Sequence, residues 1–384
     1  MKYNEISELC ALDAIEDAED KYLLTYGALP FQLSTWNPSE FFRTNYLFNQ
    51  TIFPESLDYI NYIYPYDLEP TIIQPLAKKL CGSTMQPLVI TNSGTLSISL
   101  ITSVLVQAKC RKLLVINPTY FSVFYNCAEK GIAIREINIR PTNGKYILPF
   151  DAIIENLNWC DGIWLTAPIY NTGVEYNKDD LISLSKLIPS TKYIIADECF
   201  CKTGHSIYKY FRSNPRFMAI YDPMKQFLIN GAKFSAITVS KEMLSTFYQW
   251  SDVVCGNLNT STLQAIKIFL TAESDELLVQ LEEVFNSIRK NVESISSNYP
   301  MIQIDHRSSG HMQMCYIPHL PANLLDNSDA IWNFQQVTGT SIIPGTRFHF
   351  ASQDGFAFRI NLARYEPYRF YSAIERSFDY FKNI

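Results

Sequence analysis

Between about residues 86 and 240 the chain alternates short runs rich in Ile, Val and Leu with stretches of helical length, and few folds accommodate that rhythm. The runs Leu88–Ile90, Leu113–Ile116, Ile163–Thr166, Tyr193–Ala196, Met218–Tyr221 and Ser235–Val239 are apolar on both parities. A strand with one wet face alternates apolar and polar residues, so strands apolar throughout are covered on both sides. Strands separated by helices in this way predict a doubly wound, mostly parallel sheet. Ligands of such sheets gather at the carboxyl ends of the strands. The chemically interesting residues of this chain fall there.

A long helical pattern follows from Ser274 to about Ser297, with Leu277, Leu281, Phe285, Ile288 and Val292 on one face and Pro300 beyond its end. After it come strand candidates at Met312–Ile317, Ser341–Ile343 and Phe356–Ile360, then a helix over Tyr368–Phe381. The expected organisation is a large α/β domain over 51–275 and a smaller α/β domain over 276–384 entered through the long helix. Residues 1–50 are expected to return and pack on the smaller domain. At 384 residues the chain exceeds one typical compact domain, which suits this division.

Composition removes several function classes. A net charge of −6 gives no basic footprint for nucleic acid or an anionic membrane. No run reaches the length of a membrane span, and the first twenty residues carry acids where a secretory leader has a basic start. The nine cysteines are scattered, without CxxC pairs or Cys/His spacing, so free thiols in a reducing cytoplasm are expected and no metal site is.

Five segments carry the chemistry. Thr91-Asn92-Ser93-Gly94-Thr95 follows a strand and opens an apolar helix, where free N–H groups meet either an anion or only a Ser/Thr cap. It is neither a dinucleotide fingerprint nor a P-loop. Asn117-Pro118-Thr119-Tyr120 sets an aromatic ring at a strand end, for stacking on a heterocycle or for packing. Ala167-Pro168-Ile169-Tyr170-Asn171-Thr172-Gly173 and Asp197-Glu198-Cys199-Phe200 end two further strands. A buried Asp there needs a partner, which a protonated pyridine nitrogen or an ordinary cap or ion pair supplies. Asp222-Pro223-Met224-Lys225 precedes Gly231-Ala232-Lys233, and a lysine among apolar neighbours makes a competent Schiff-base amine.

In this order the segments resemble the class I/II pyridoxal-phosphate (PLP) aminotransferases of fold type I, over roughly residues 50–384. The resemblance implies PLP as cofactor, an amino-acid substrate and a homodimer. It makes Lys225 the catalytic Schiff-base lysine and Asp197 the carboxylate on the ring nitrogen. Tyr120 becomes the stacked aromatic, and Ser93, Gly94 and Thr95 the phosphate cup. Lys233 stands at a phosphate-binding Arg position, and Tyr64 at the Tyr that reaches the partner's phosphate. Arg359, in Phe358-Arg359-Ile360-Asn361-Leu362-Ala363, stands where the family clamps the substrate carboxylate, and Pro344-Gly345 before Phe348 also fits.

Four positions depart from the family. Tyr170 replaces an Asn and Phe200 a Tyr, both donors to the cofactor's 3-oxygen; Asp222 replaces a phosphate-binding Ser, and Lys233 an Arg with its fork geometry. Asp222, Phe200 and Lys233 also resemble the PLP-dependent arginine oxidases, hydroxylases and cyclases, as do Arg307-Ser308-Ser309 and Arg347-Phe348-His349. That narrower resemblance implies a cationic substrate meeting Asp222, with the pocket completed by acids among Glu5, Glu8, Asp13, Glu16 and Asp17. The alternatives are a conventional aminotransferase and a non-catalytic PLP-binding regulator. Regulators of this fold carry a helix-turn-helix domain ahead of it, for which the chain has no room, and the retained Lys225, Asp197 and Arg359 argue for turnover.

Overall fold

The computed structural model describes residues 7–35, 37–47, 63–142, 144–348 and 355–384, with backbone alone at 7–13, 47, 347 and 348. Residues 7–47 supply α1 (Ser7–Tyr26) and β1 (Phe31–Gln32). Seven strands then build the main sheet: β2 (Leu88–Thr91), β3 (Lys112–Asn117), β4 (Ala133–Asn138), β5 (Gly162–Thr166), β6 (Tyr193–Asp197), β7 (Phe217–Tyr221) and β8 (Ser235–Thr238). Between β2 and β3 lies α2 (Gly94–Gln107). Their spatial order is β2-β8-β7-β6-β5-β3-β4, parallel throughout except that β8 runs antiparallel to both neighbours. The mostly parallel doubly wound sheet is therefore as expected, and apolar clusters cover both faces.

The one strand of the main sheet absent from the sequence reading is β4. Its sequence, Ala-Ile-Arg-Glu-Ile-Asn, lies at a sheet edge with several positions exposed, so it lacks the apolar run that marks its neighbours. Register matters at the other end. Thr166 pairs with Asp197 and Asp197 with Ile220, which aligns the carboxyl ends of β5, β6 and β7.

The long helix is α3 (Ala272–Ser296), capped by the Thr271 side chain and carrying Glu273 and Asp275 in its first turn. Beyond it, β9 (Gln303–Ile304), β10 (Met312–Ile317), α4 (Ser328–Thr338), β11 (Thr340–Ser341), β12 (Ile343–Pro344), β13 (Phe356–Asn361) and α5 (Phe370–Lys382) complete the chain. Four of these strands form an antiparallel sheet in the order β9-β10-β13-β12. The single strand expected over Ser341–Ile343 is split. Its first part, β11, pairs with β1 in parallel, and its second part, β12, pairs with β13. The final helix starts at Phe370 because Tyr368 has φ +70° and is exposed, outside any helical turn.

In the N-terminal stretch α1 packs on α4, and β1 adds to β11. Buried Ile15, Ala18 and Glu19 mark its inner face. Among the described residues no helix is long and apolar enough to cross a membrane, no disulfide occurs, and no cluster of His, Cys, Asp and Glu suits a metal ion.

Candidate active site

At the carboxyl end of β2 the chain passes through Ser93 into α2, and the Ser93 hydroxyl accepts the Leu96 N–H at 3.3 Å. Ser93, Gly94 and Thr95, in the turn whose N–H groups have no helical partner, line a cavity of about 460 Å³ that opens over the ends of β5, β6 and β7. Gly94 sits in its floor. A Cβ there would lie 3.1 Å from the Cys199 sulfur and 3.5 Å from Asp222 Oδ2, so the close approach requires glycine or a shift of its neighbours.

Three polar side chains enter from adjacent strand ends. Asp197 closes β6, is 3% exposed, and accepts the Cys199 N–H on Oδ1 at 3.1 Å. Asp222 follows β7 and caps a short 3-10 helix, Pro223–Phe227, which carries Lys225 one turn later. That spacing sets Lys225 Nζ 3.5 Å from Asp222 Oδ2 and 4.5 Å from the centre of the Phe200 ring. Burial pulls the amine's pKa down, but Asp222, Cys199, Asp197 and Tyr170 together outweigh it and the net shift is upward. The other carboxylate atom, Asp222 Oδ1, has no hydrogen-bond partner among the described residues.

The opposite wall comes from the smaller sheet and the turn after β5. Arg359, in the middle of β13, is fully buried. It donates from Nη1 to Asn171 Oδ1 at 2.8 Å and from Nη2 to the Ser34 carbonyl at 2.5 Å. Burial pulls its pKa down to about 10, against an upward pull from Tyr170. Asn171 holds this position with φ +60°, a left-handed conformation that Asn tolerates better than most residues. The Tyr170 ring lies 6.0 Å from that of Tyr120.

All residues expected at the site line the cavity except two. Arg359 stands behind Asn171 instead, because the centre of β13 is enclosed on both sides. Tyr64 lies at the start of a 3-10 helix, Pro65–Asp67, stacked on Tyr66 at 5.3 Å, and is not among the residues that line this cavity. Of the acids expected to complete the pocket, the two whose side chains are described do not line the cavity. Glu16 and Asp17 are exposed on the outer face of α1. Glu5, the side chains of Glu8 and Asp13, and His349 with the side chains of Arg347 and Phe348 lie outside the described residues.

Arg307, part of the stretch that carried the narrower resemblance, makes a structural contact: it grips Asp305 and the Tyr146 carbonyl. Ser308 and Ser309 bond to the Thr172–Gly173 turn. The residue missed by sequence reasoning is His311, 7% exposed, which lines this cavity and a second one beside it. A histidine directly before an apolar strand was its only signal.

Solved structures share this architecture. An aspartate aminotransferase from Thermotoga maritima superposes with a TM-score of 0.74 at 15% identity, covering 98% of this chain and 97% of that one. A methionine aminotransferase from Escherichia coli gives 0.75 at 13% identity, covering 96% of each chain. A PLP-bound C-S lyase from Staphylococcus hominis gives 0.68 at 14% identity, covering 96% of this chain and 88% of that one. The chain has the aminotransferase fold. No family profile and no curated sequence matches it. Within the aminotransferase fold the cavity occupies the sheet's carboxyl edge, where doubly wound sheets bind ligands.

Proposed function

We propose that the chain is a PLP-dependent enzyme acting on a free α-amino acid. One observation carries the reading: Asp197, Lys225 and the open N-terminus of α2 face a single cavity. Asp197 is buried, and no ion pair reaches it among the described residues, so a protonated heterocyclic nitrogen suits it as partner. The glycine floor at residue 94 and the helix N-terminus suit a phosphate. Asp222 is the one group in that cup of the wrong sign, offset by Lys225 and by Lys233 on the rim.

PLP bound here supplies an electron sink conjugated to the substrate Cα. The residues around it divide the remaining work. Ser93, Gly94, Thr95 and Lys233 hold the phosphate, Tyr120 covers the ring face, and Tyr170 lies beside Tyr120. Arg359 meets the substrate carboxylate, and Asn171 fixes the angle of its guanidinium. Lys225 carries the cofactor covalently, then takes and returns the proton at Cα. Tyr64 serves the phosphate of a second copy, which makes the enzyme a homodimer. Scattered thiols without a disulfide suit the cytoplasm.

Borohydride reduction of the purified protein tests this. A PLP-derived mass on the Lys225 peptide is expected; a label on another lysine, or none, sinks the reading. Conventional transamination predicts that an amino acid converts the cofactor to its amine form and a 2-oxo acid restores it. The narrower reading, an arginine-like substrate, rests on Asp222, whose Oδ1 has no hydrogen-bond partner among the described residues. It predicts turnover of L-arginine that Asp222→Asn abolishes.

A further inference from the structure

Beside the cofactor cavity lies a second one of about 250 Å³, and the two share Phe200 and His311 as lining residues. Its walls are mainly apolar: Ile169, Leu278, Leu281, Phe285 and Met312. Most of its polar groups are engaged. Lys202 pairs with Glu282, and Lys79 holds Asp275 at 2.7 Å. Gln226 accepts the Thr203 N–H at 3.1 Å and donates to the Cys201 carbonyl at 2.5 Å.

Two groups are not. His311 is 7% exposed, its ring set 6.1 Å from Phe200 and 5.9 Å from Phe285, and no hydrogen bond reaches either ring nitrogen among the described residues. Asn171 lends its Oδ1 to Arg359, while its Nδ2 has no acceptor among the described residues. A buried amide N–H of this kind is costly unless a ligand completes it, and the imidazole lines the cavity beside it.

We propose that this second cavity is the subsite for the substrate's side chain, and that His311 and Asn171 select an uncharged chain of about arginine length ending in an amide or ureido group. The inference rests on the proposed amino-acid activity. Such a chain passes Phe200, lays its methylenes on Leu278 and Leu281, accepts a hydrogen bond from Asn171 and exchanges one with the imidazole. Burial, then Arg359, Lys225 and Arg289, push the His311 pKa down to about 3, so the ring is neutral and both donates and accepts. A cationic tip would meet acids already paired to lysines, in the field of those three cations. An anionic tip would face apolar walls.

L-citrulline and L-arginine are near isosteres that differ in charge, and L-alanine has no chain to enter the cavity, so these three are the probes for the holoenzyme. Citrulline is expected to have the lowest KM and to raise the melting temperature most, a readout that needs no turnover. Leu278→Phe, which fills the cavity, should cost citrulline about tenfold more in kcat/KM than it costs alanine. His311→Phe should raise KM for citrulline about tenfold with kcat nearly unchanged, and His311→Asn should recover part of that. Equal losses for citrulline and alanine, or no advantage of citrulline over alanine, overturn the subsite. Arginine preferred over citrulline overturns it too, in favour of a cationic chain at Asp222. None of these outcomes alters the reduced label at Lys225, which scores the underlying activity separately.

Discussion

Lys225 and Arg359 are the two cations on which the proposed function relies, and their surroundings move them in opposite directions. Burial pulls both pKa values down. At Lys225 the surrounding acidic groups, led by the Asp222 carboxylate 3.5 Å away, together reverse the effect. At Arg359 burial prevails, and two of the guanidinium's hydrogen bonds end on neutral oxygens, the Asn171 amide and the Ser34 carbonyl. Dipoles orient a guanidinium, but they compensate its charge less well than a carboxylate does. The comparison teaches a division of labour. The lysine end of the cavity carries its own counter-charge at Asp222, whereas in the proposed function the arginine end is the one that receives a carboxylate from the substrate.

Two substitutions probe that division. Lys225→Ala removes the nucleophile and the proton carrier together, so turnover should fall by about a thousandfold or more, with no covalently retained cofactor after borohydride. Arg359→Gln should leave the reduced label on Lys225 intact and cost kcat/KM for every α-amino acid roughly 30- to 1000-fold. Loss of the Lys225 label in Arg359→Gln would break the comparison, because the arginine would then be supporting the cofactor end of the cavity.

The third effect is smaller. Asp222→Asn removes the carboxylate that holds the Lys225 proton, so the amine's pKa should fall. Attachment of PLP needs the unprotonated amine, and its pH profile should therefore move to lower pH. A profile that stays in place would show that the 3.5 Å pair contributes little.

The two ends also differ in how far the sequence disclosed them. Asp197, Asp222 and Lys225 were legible because each follows an apolar run, and a parallel sheet turns consecutive strand ends into neighbours. The other wall is assembled from parts far apart in the chain: Ser34, Asn171, His311 and Arg359. No local pattern encodes those meetings. They depend on how β10 and β13 pair and on the left-handed turn at Asn171, which only the folded chain displays. Glu16 and Asp17 misled for the same reason. Helical spacing shows that they avoid the buried face of α1, not what the exposed face meets.

The smallest expected effect sharpens the contrast between a cavity carboxylate and a core one. Glu198 follows Asp197 in the chain, yet it lines neither of the two cavities and is 1% exposed. Its Oε1 accepts the Ile207 N–H at 3.2 Å, and its Oε2 has no hydrogen-bond partner among the described residues. Burial pushes its pKa up to about 8 from an ordinary value of 4.5. Between those two values the folded state binds a proton that the unfolded state has released, so stability falls as pH rises through that window and is level above it. Glu198→Gln removes the ionisation and should flatten the profile. Relative to the native protein, the variant should gain on the order of 1–2 kcal/mol between pH 5 and pH 9 in urea unfolding. Parallel curves for the two proteins would mean that water or a neighbouring hydroxyl solvates Glu198 in the fold. In that case the carboxylates at residues 197 and 198 would differ in position and not in environment.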